Sequence, residues 1–240
     1  MYVLALDSTA GVASVALTDG ERLLGETTID NGNTHSETLL PMIEELLKRF
    51  SLSPSDIELY ACTAGPGSFT GVRIGVSTVK GLAFATNTPC VGVSTLESLA
   101  HNLIGFGVGE ANGVIVCPVM NARRSQVYNA LFRVKGNEIT RLCEDRAIAI
   151  ADLEEELLTY NEPIYLCGDG YDITLRGFAS LSPCETPLRL RAQSGYSTAL
   201  VGLKEQRLGH AVDDRALVPV YLRPCQAERE RLERESAAQT

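Results

Sequence analysis

The chain has 240 residues, too many for one small domain and comfortable for two lobes of roughly 100–120 residues each. Its formal charge of −9 and its scattered basic residues argue against a protein that grips RNA by itself, since such a surface needs clustered cations to displace phosphate counterions. Hydrophobic content of 45% and charged content of 21% are ordinary for a soluble globular protein. Cys62, Cys90, Cys117, Cys143, Cys167, Cys184 and Cys225 are odd in number and show no C-x-x-C spacing, so they are read as reduced, buried thiols. No basic flank precedes Tyr2-Val3-Leu4-Ala5-Leu6, and no run approaches the ~18 apolar residues of a membrane span. A soluble, cytoplasmic protein with no membrane partner is expected.

In chain order, residues 2–6 form an apolar strand ending at Asp7, and Ser8 to Gly11 form a turn. Val12 to Leu17 make a second strand, and Asp19-Gly20 signals a hairpin into a third, Arg22 to Ile29. Thr34 and Glu37 have capping-box spacing. Leu39, Leu40, Ile43, Leu46, Leu47 and Phe50 follow at helical period, with Pro41 expected to kink that helix. Ile57 to Thr63 is a fourth strand. The glycine-rich stretch Ala64 to Gly71 opens a helix reaching about Ala85, Val91 to Val93 is a fifth strand, and Ser94 or Thr95 caps a helix to about Leu103.

The second half begins the same way. Val114 to Met120 is a strand ending at Asn121, where Asp7 stood before. After a turn, Ala122 to Ser125, come strands Val127 to Val134 and Glu138 to Leu142, a helix Ala151 to Tyr160, and a strand Pro163 to Cys167. The duplicated meander predicts an α/β fold of two mixed-sheet lobes flanked by helices. The expected organisation is a first lobe 1–105, a second lobe 106–225 and a charged tail 226–240, in which Glu228 to Glu235 read as a solvated helix or a disordered tail. The glycines between Gly105 and Gly113 mark the boundary.

Two such lobes, each with a strand turning at a small or acidic residue, describe the actin–Hsp70–sugar-kinase (ASKHA) superfold, whose turns cradle nucleotide phosphates with backbone N–H groups. Asp7-Ser8-Thr9 resembles the first of these turns. Leu4 to Thr9, His35 to Pro41, Ala64 to Gly75, Lys80 to Ala83 and Pro219 to Pro224 resemble the TsaB (YeaZ) family. That family is a noncatalytic paralogue of TsaD in making threonylcarbamoyladenosine in tRNA. TsaD shares the central segment, so this stretch alone does not separate the two.

By this resemblance, TsaD's two metal-binding histidines fall on Thr95 and Leu99, and its aspartate near Gly195. Leucine and glycine offer no donor, so no metal site and no catalytic residue is expected. The second phosphate turn has Ala122-Arg123 where the enzyme has a Gly-Gly pair, and side chains hinder close approach to phosphate. Asp7, Ser8 and Thr9 are therefore read as a vestigial phosphate turn. The chain alone should bind no cofactor, with ATP or ADP and metal on TsaD or at a joint interface. The rival reading is a stand-alone ATPase or small-molecule kinase of the same superfold.

Gly71, Gly75, Thr78 and Leu82 fall on one helical face. Each glycine costs about 1 kcal/mol against alanine in a helix, so two together ask for close approach by another helix. That helix lies either in the same lobe or, as the resemblance implies, in TsaD. His35 is read as an interface residue rather than a general base. The partner-binding set implied by the resemblance is His35, Leu39, Gly71, Arg73, Gly75, Thr78 and Leu82. The implied partners are TsaD as a heterodimer and TsaE, a second copy when TsaD is absent, and tRNA only through the complex.

Overall fold

The computed structural model describes residues 1–32, 34–107 and 111–223. Pro224, Cys225 and the charged segment 226–240, with Glu228 to Glu235, lie outside the described residues.

The first meander is β1 (Tyr2–Asp7), β2 (Ala13–Asp19) and β3 (Arg22–Ile29), antiparallel throughout. Then come α1 (His35–Arg49), β4 (Leu59–Gly65), α2 (Phe69–Thr86), β5 (Cys90–Ser94) and α3 (Thr95–His101). The sheet order is β3-β2-β1-β4-β5, with β4 parallel to both β1 and β5. Strand period sets the two faces. Leu4 and Leu6 of β1 point at Leu39, Ile43, Val72 and Val76 of α1 and α2, while Val3 and Ala5 point the other way.

The second lobe contains β6 (Val114–Arg123), β7 (Gln126–Asn129), β8 (Phe132–Lys135), β9 (Glu138–Arg141) and β10 (Arg146–Ala149). After these come α4 (Ile150–Leu157), β11 (Ile164–Cys167) and α5 (Tyr171–Gly177). β7 and β8 pair antiparallel with successive halves of β6, and β10 and β9 flank them in turn. β11 runs parallel along the other side of β6, and Cys184 makes a parallel bridge beyond it at Tyr165. This repeats the first lobe's order and strand directions, so the two-lobed ASKHA arrangement with duplicated mixed sheets is observed.

The last helix, α6 (Gly195–Arg207), crosses back. Its Ala199, Val201 and Leu203 pack on Val3, Ala5, Leu59, Ala61, Val91 and Val93 of the first sheet. Conversely, Leu96, Leu99 and Ala100 of α3 pack on Val114, Val116 and Phe132 of the second. The two crossing helices meet where the hydroxyls of Ser98 and Thr198 lie 2.9 Å apart and Ser197 donates to Asn102 Oδ1 at 2.6 Å. Glu97 of α3 adds an ionic tie, accepting from Arg141 of β9 at 2.9 Å and Lys204 of α6 at 2.6 Å.

Local corrections have physical causes. Thr34 is the N-cap of α1, but its side chain makes no cap bond, so the expected capping box does not form. The predicted strand Val127 to Val134 breaks at Ala130, where buried Asn129 donates its amide to Pro118 O and Ala130 O. β10, α5 and α6 have no sequence signal strong enough to assign. For α6 the reason is burial against both the first sheet and α3, which leaves no clean polar stripe. Pro41 is carried on an exposed position within α1.

Candidate docking face and interlobe cleft

The turn after β1 is consumed by its own chain. Thr9 donates twice to Asp7 Oδ1, from its backbone N at 2.8 Å and its hydroxyl at 2.6 Å. Ser68 N donates to Thr9 O at 2.7 Å, and Ser8 Oγ donates to Gly71 O at 2.9 Å. His35 Nε2 lies 2.6 Å from Ala10 O; a carbonyl only accepts, so the imidazole donates and pins α1 to the same turn. Asp7 is fully buried and its Oδ2 has no hydrogen-bond partner. Burial pushes its pKa up to about 6, against the pull of the two Thr9 bonds.

The glycines of α2 explain this closeness and correct one expectation. A Cβ on Gly71 would collide with Ser8 O, and one on Gly75 would lie 2.6 Å from Ser8 Oγ and 3.1 Å from Leu6 Cδ1. Their compensation is the strand and turn beneath, inside the same lobe, rather than another helix. Both glycines are buried, as is Leu39. The neighbouring face is open. Between α1 and α2 runs an apolar groove of ≈ 580 Å³ lined by Ser36, Leu39, Leu40, Arg73, Ile74, Ser77, Thr78, Gly81 and Leu82. Of the expected set, Leu39, Arg73, Thr78 and Leu82 line it. His35 is half-buried at the start of α1, and Gly71 and Gly75 face Ser8 and Leu6 instead of the groove. Sequence reading missed Leu40, which is 49% exposed, together with Ile74 and Gly81. The helical period groups Leu40 with the apolar stripe of α1, but the buried residues there are Leu39, Met42, Ile43, Leu46 and Leu47, which leaves Leu40 an exposed apolar side chain beside the groove.

Between the lobes lies a second hollow of ≈ 390 Å³, lined among others by Gly67, Phe69, Asn121, Arg123, Asp169, Tyr221 and Arg223. The second turn bounds it. Arg123, Arg124 and Ser125 have φ of 62°, 53° and 56°, a left-handed region that favours glycine. Arg123 N donates to Asn121 Oδ1 at 2.8 Å, and Asn121 N donates to Asp169 Oδ1 at 3.2 Å. The N–H groups of both turns that would face an anion are thus partly spent on side chains of the chain itself.

Thr95, Leu99 and Gly195 sit in packed interior. Leu99 belongs to the core of the second lobe, Thr95 is fully buried, and a Cβ on Gly195 would lie 2.7 Å from Ala16 N. Among the described residues no group of three or more His, Cys, Asp and Glu is placed to hold a metal ion, and no helix is long and apolar enough to cross a membrane. Burial pushes the Cys62 and Cys167 thiols well above their ordinary range, which makes them unreactive. His101 is buried on α3 with Nδ1 2.9 Å from Glu97 O, and His210 pairs with Glu205.

A family model described as TsaD, tRNA N6-adenosine threonylcarbamoyltransferase, matches residues 29–174. The tRNA threonylcarbamoyladenosine biosynthesis protein TsaB of Bacillus subtilis (strain 168) is 29% identical over 231 residues, covering 95% of this chain and 96% of that protein. TsaB of Escherichia coli (strain K12) is 33% identical over 157 residues, 65% of each chain. Among solved structures, YeaZ from Pseudomonas aeruginosa superposes with a TM-score of 0.74 at 26% identity, covering 92% of this chain and 99% of that one.

Proposed function

The chain belongs to the TsaD family, in its TsaB (YeaZ) branch, and has a role in tRNA threonylcarbamoyladenosine biosynthesis; on that premise we propose that it acts there as a noncatalytic partner of TsaD. In this reading the groove between α1 and α2 receives the corresponding helix pair of TsaD. TsaE joins the pair, and tRNA is reached only through the complex.

One observation carries the reading. The open apolar groove is built from α1 and α2, and both helices fall within the segment that matches the transferase's own family model. Two relatives that share a helix pair can dock it against its counterpart about a pseudo-two-fold axis. The same self-complementarity gives a homodimer when TsaD is absent. The filled Asp7-to-Ala10 turn and the left-handed arginines of the second turn support the absence of chemistry. The chain alone binds no cofactor, and ATP or ADP and metal reside on TsaD or at the joint interface.

Two measurements on purified protein test this. Size-exclusion chromatography of the chain with tagged TsaD should give a joint peak, and calorimetric titration of the chain alone with millimolar ATP should give no saturable heat. Saturable ATP binding that is lost in Asp7→Ala would favour the rival kinase or ATPase reading. Elution of the two proteins apart at every concentration would remove the docking reading.

A further inference from the structure

After α6 the chain returns across the first lobe as a strap and reaches the second at Arg223. Val212 and Cys90 exchange backbone hydrogen bonds of 2.8 and 2.9 Å at the free edge of β5. Lys80 of α2 donates to Arg215 O at 3.2 Å and to Leu217 O at 2.9 Å, and Val220 N donates to Ala64 O at 2.7 Å. Tyr221 then stacks on Phe69 with centroids 4.5 Å apart, and its hydroxyl accepts from Arg73 Nε at 2.9 Å. Two residues on, Arg223 donates to Ala122 O of β6 at 3.2 Å and lies 6.0 Å from the ring of Tyr128 in β7.

Arg73 joins the groove to the residues that line the interlobe cleft. Its side chain lines the α1–α2 groove, yet its guanidinium lies 3.9 Å over Phe69, which together with Tyr221 and Arg223 lines the interlobe cleft. An arginine held by a ring face and a hydroxyl is preorganised; released, it regains rotamer freedom that docking must remove again. The α6 contact between the lobes lies on the opposite face of the first sheet from α1 and α2; on the groove side the lobes are joined by Ala10, which packs in the second lobe's cluster, and by the strap, which alone of the two bonds to the Arg73 side chain.

We propose that Arg73 is a positioning residue through which the strap, by way of Arg223 and Tyr221, transmits the setting of the second lobe to the docking groove. The inference rests on the TsaD-docking reading for its functional meaning. Anything that shifts β6 and β7 relative to the first lobe pulls Arg223, loosens Tyr221 and frees the Arg73 guanidinium. By reciprocity, a partner seated in the groove tightens the strap over the cleft.

Tyr221→Phe and Arg223→Gln test this, because neither residue lines the groove and Tyr221→Phe keeps the ring stack. Amide hydrogen exchange across Val72 to Val76 should rise about threefold in each variant, and the affinity for TsaD should fall about fivefold. The double variant should be no worse than either single one, because both cut one path. Unchanged exchange in both variants, or effects that simply multiply, would overturn the inference whether or not TsaD binds. Faster exchange in the variants of a wild-type chain that shows no TsaD binding would uphold the strap coupling and sink the docking reading.

Discussion

The α-carbon of Gly71 lies so close to the carbonyl oxygen of Ser8 that a Cβ at that position would overlap it. This contact sets the distance between α2 and the turn after β1. Gly71→Ala should therefore cost about 1–3 kcal/mol of stability through overpacking. A Cβ added to Gly81, on the same helix, would meet nothing within 4 Å, so Gly81→Ala should gain up to about 1 kcal/mol from helix propensity alone. Urea denaturation of the two variants checks the contrast. Gly75→Arg would drive a long side chain into Ser8 and Leu6, so it reports folding rather than docking.

Asp7 and Glu154 give stability opposite slopes in neighbouring pH windows. Burial raises the folded Asp7 pKa to about 6 from 3.8. The native state thus keeps a proton that the unfolded chain releases, and stability falls as pH rises through that window, by about 3 kcal/mol in all. Asp7→Asn retains an oxygen for both Thr9 donors, so it should remove this slope and be more stable than wild type at pH 7.5. Glu154 accepts from Ala179 N, Ser180 N and Leu181 N at 2.8, 2.7 and 2.7 Å, and these bonds hold its pKa down to about 2. Its contribution is present above the unfolded value of 4.5 and is lost as pH falls toward 2. Glu154→Gln should flatten that acid limb. Chemical denaturation at intervals between pH 3 and pH 8 separates the two.

The first lobe is legible in the sequence because its signals are local. The apolar run of β1, the Asp19-Gly20 hairpin and the α1 stripe each announce one element. The glycines of α2 announce close approach, but sequence spacing says nothing of what approaches, and the turn at Ser8, 63 residues from Gly71, is not visible to it. The second lobe reads as a repeat from Val114 onward, yet its third strand is split between β9 and β10 because Asn129 interrupts the middle strand. α6 gives no clear signal, since a helix buried on two sides loses the amphipathic period that reveals surface helices. The strap shows in the sequence only as a family-like motif, Pro219 to Pro224. Its physical role depends on Arg73 and Ala122, more than 90 residues away in sequence.

Glu97 ties α3 to both β9 and α6 from a buried position. Burial pushes its pKa up, but the bonds from Lys204 and Arg141 outweigh this and hold it below its ordinary value. Glu97→Ala leaves the half-buried Arg141 paired with Asp145 alone, at 2.6 Å, and frees Lys204 to solvent, and should cost about 2 kcal/mol. Glu97→Gln should cost less, because it can still accept one bond. A thermal melt of each variant, with the wild type beside them, reads the difference.

The most direct test of the docking account is Leu40→Arg, which places a charge in the α1–α2 groove at a residue whose own chain does not need it for packing. Size-exclusion chromatography with TsaD, paired with a melting curve and an assay of tRNA modification by the reconstituted proteins, should show a normally folded variant that neither co-elutes with TsaD nor supports modification. A Leu40→Arg chain that still forms the complex and sustains modification at the wild-type level would contradict it.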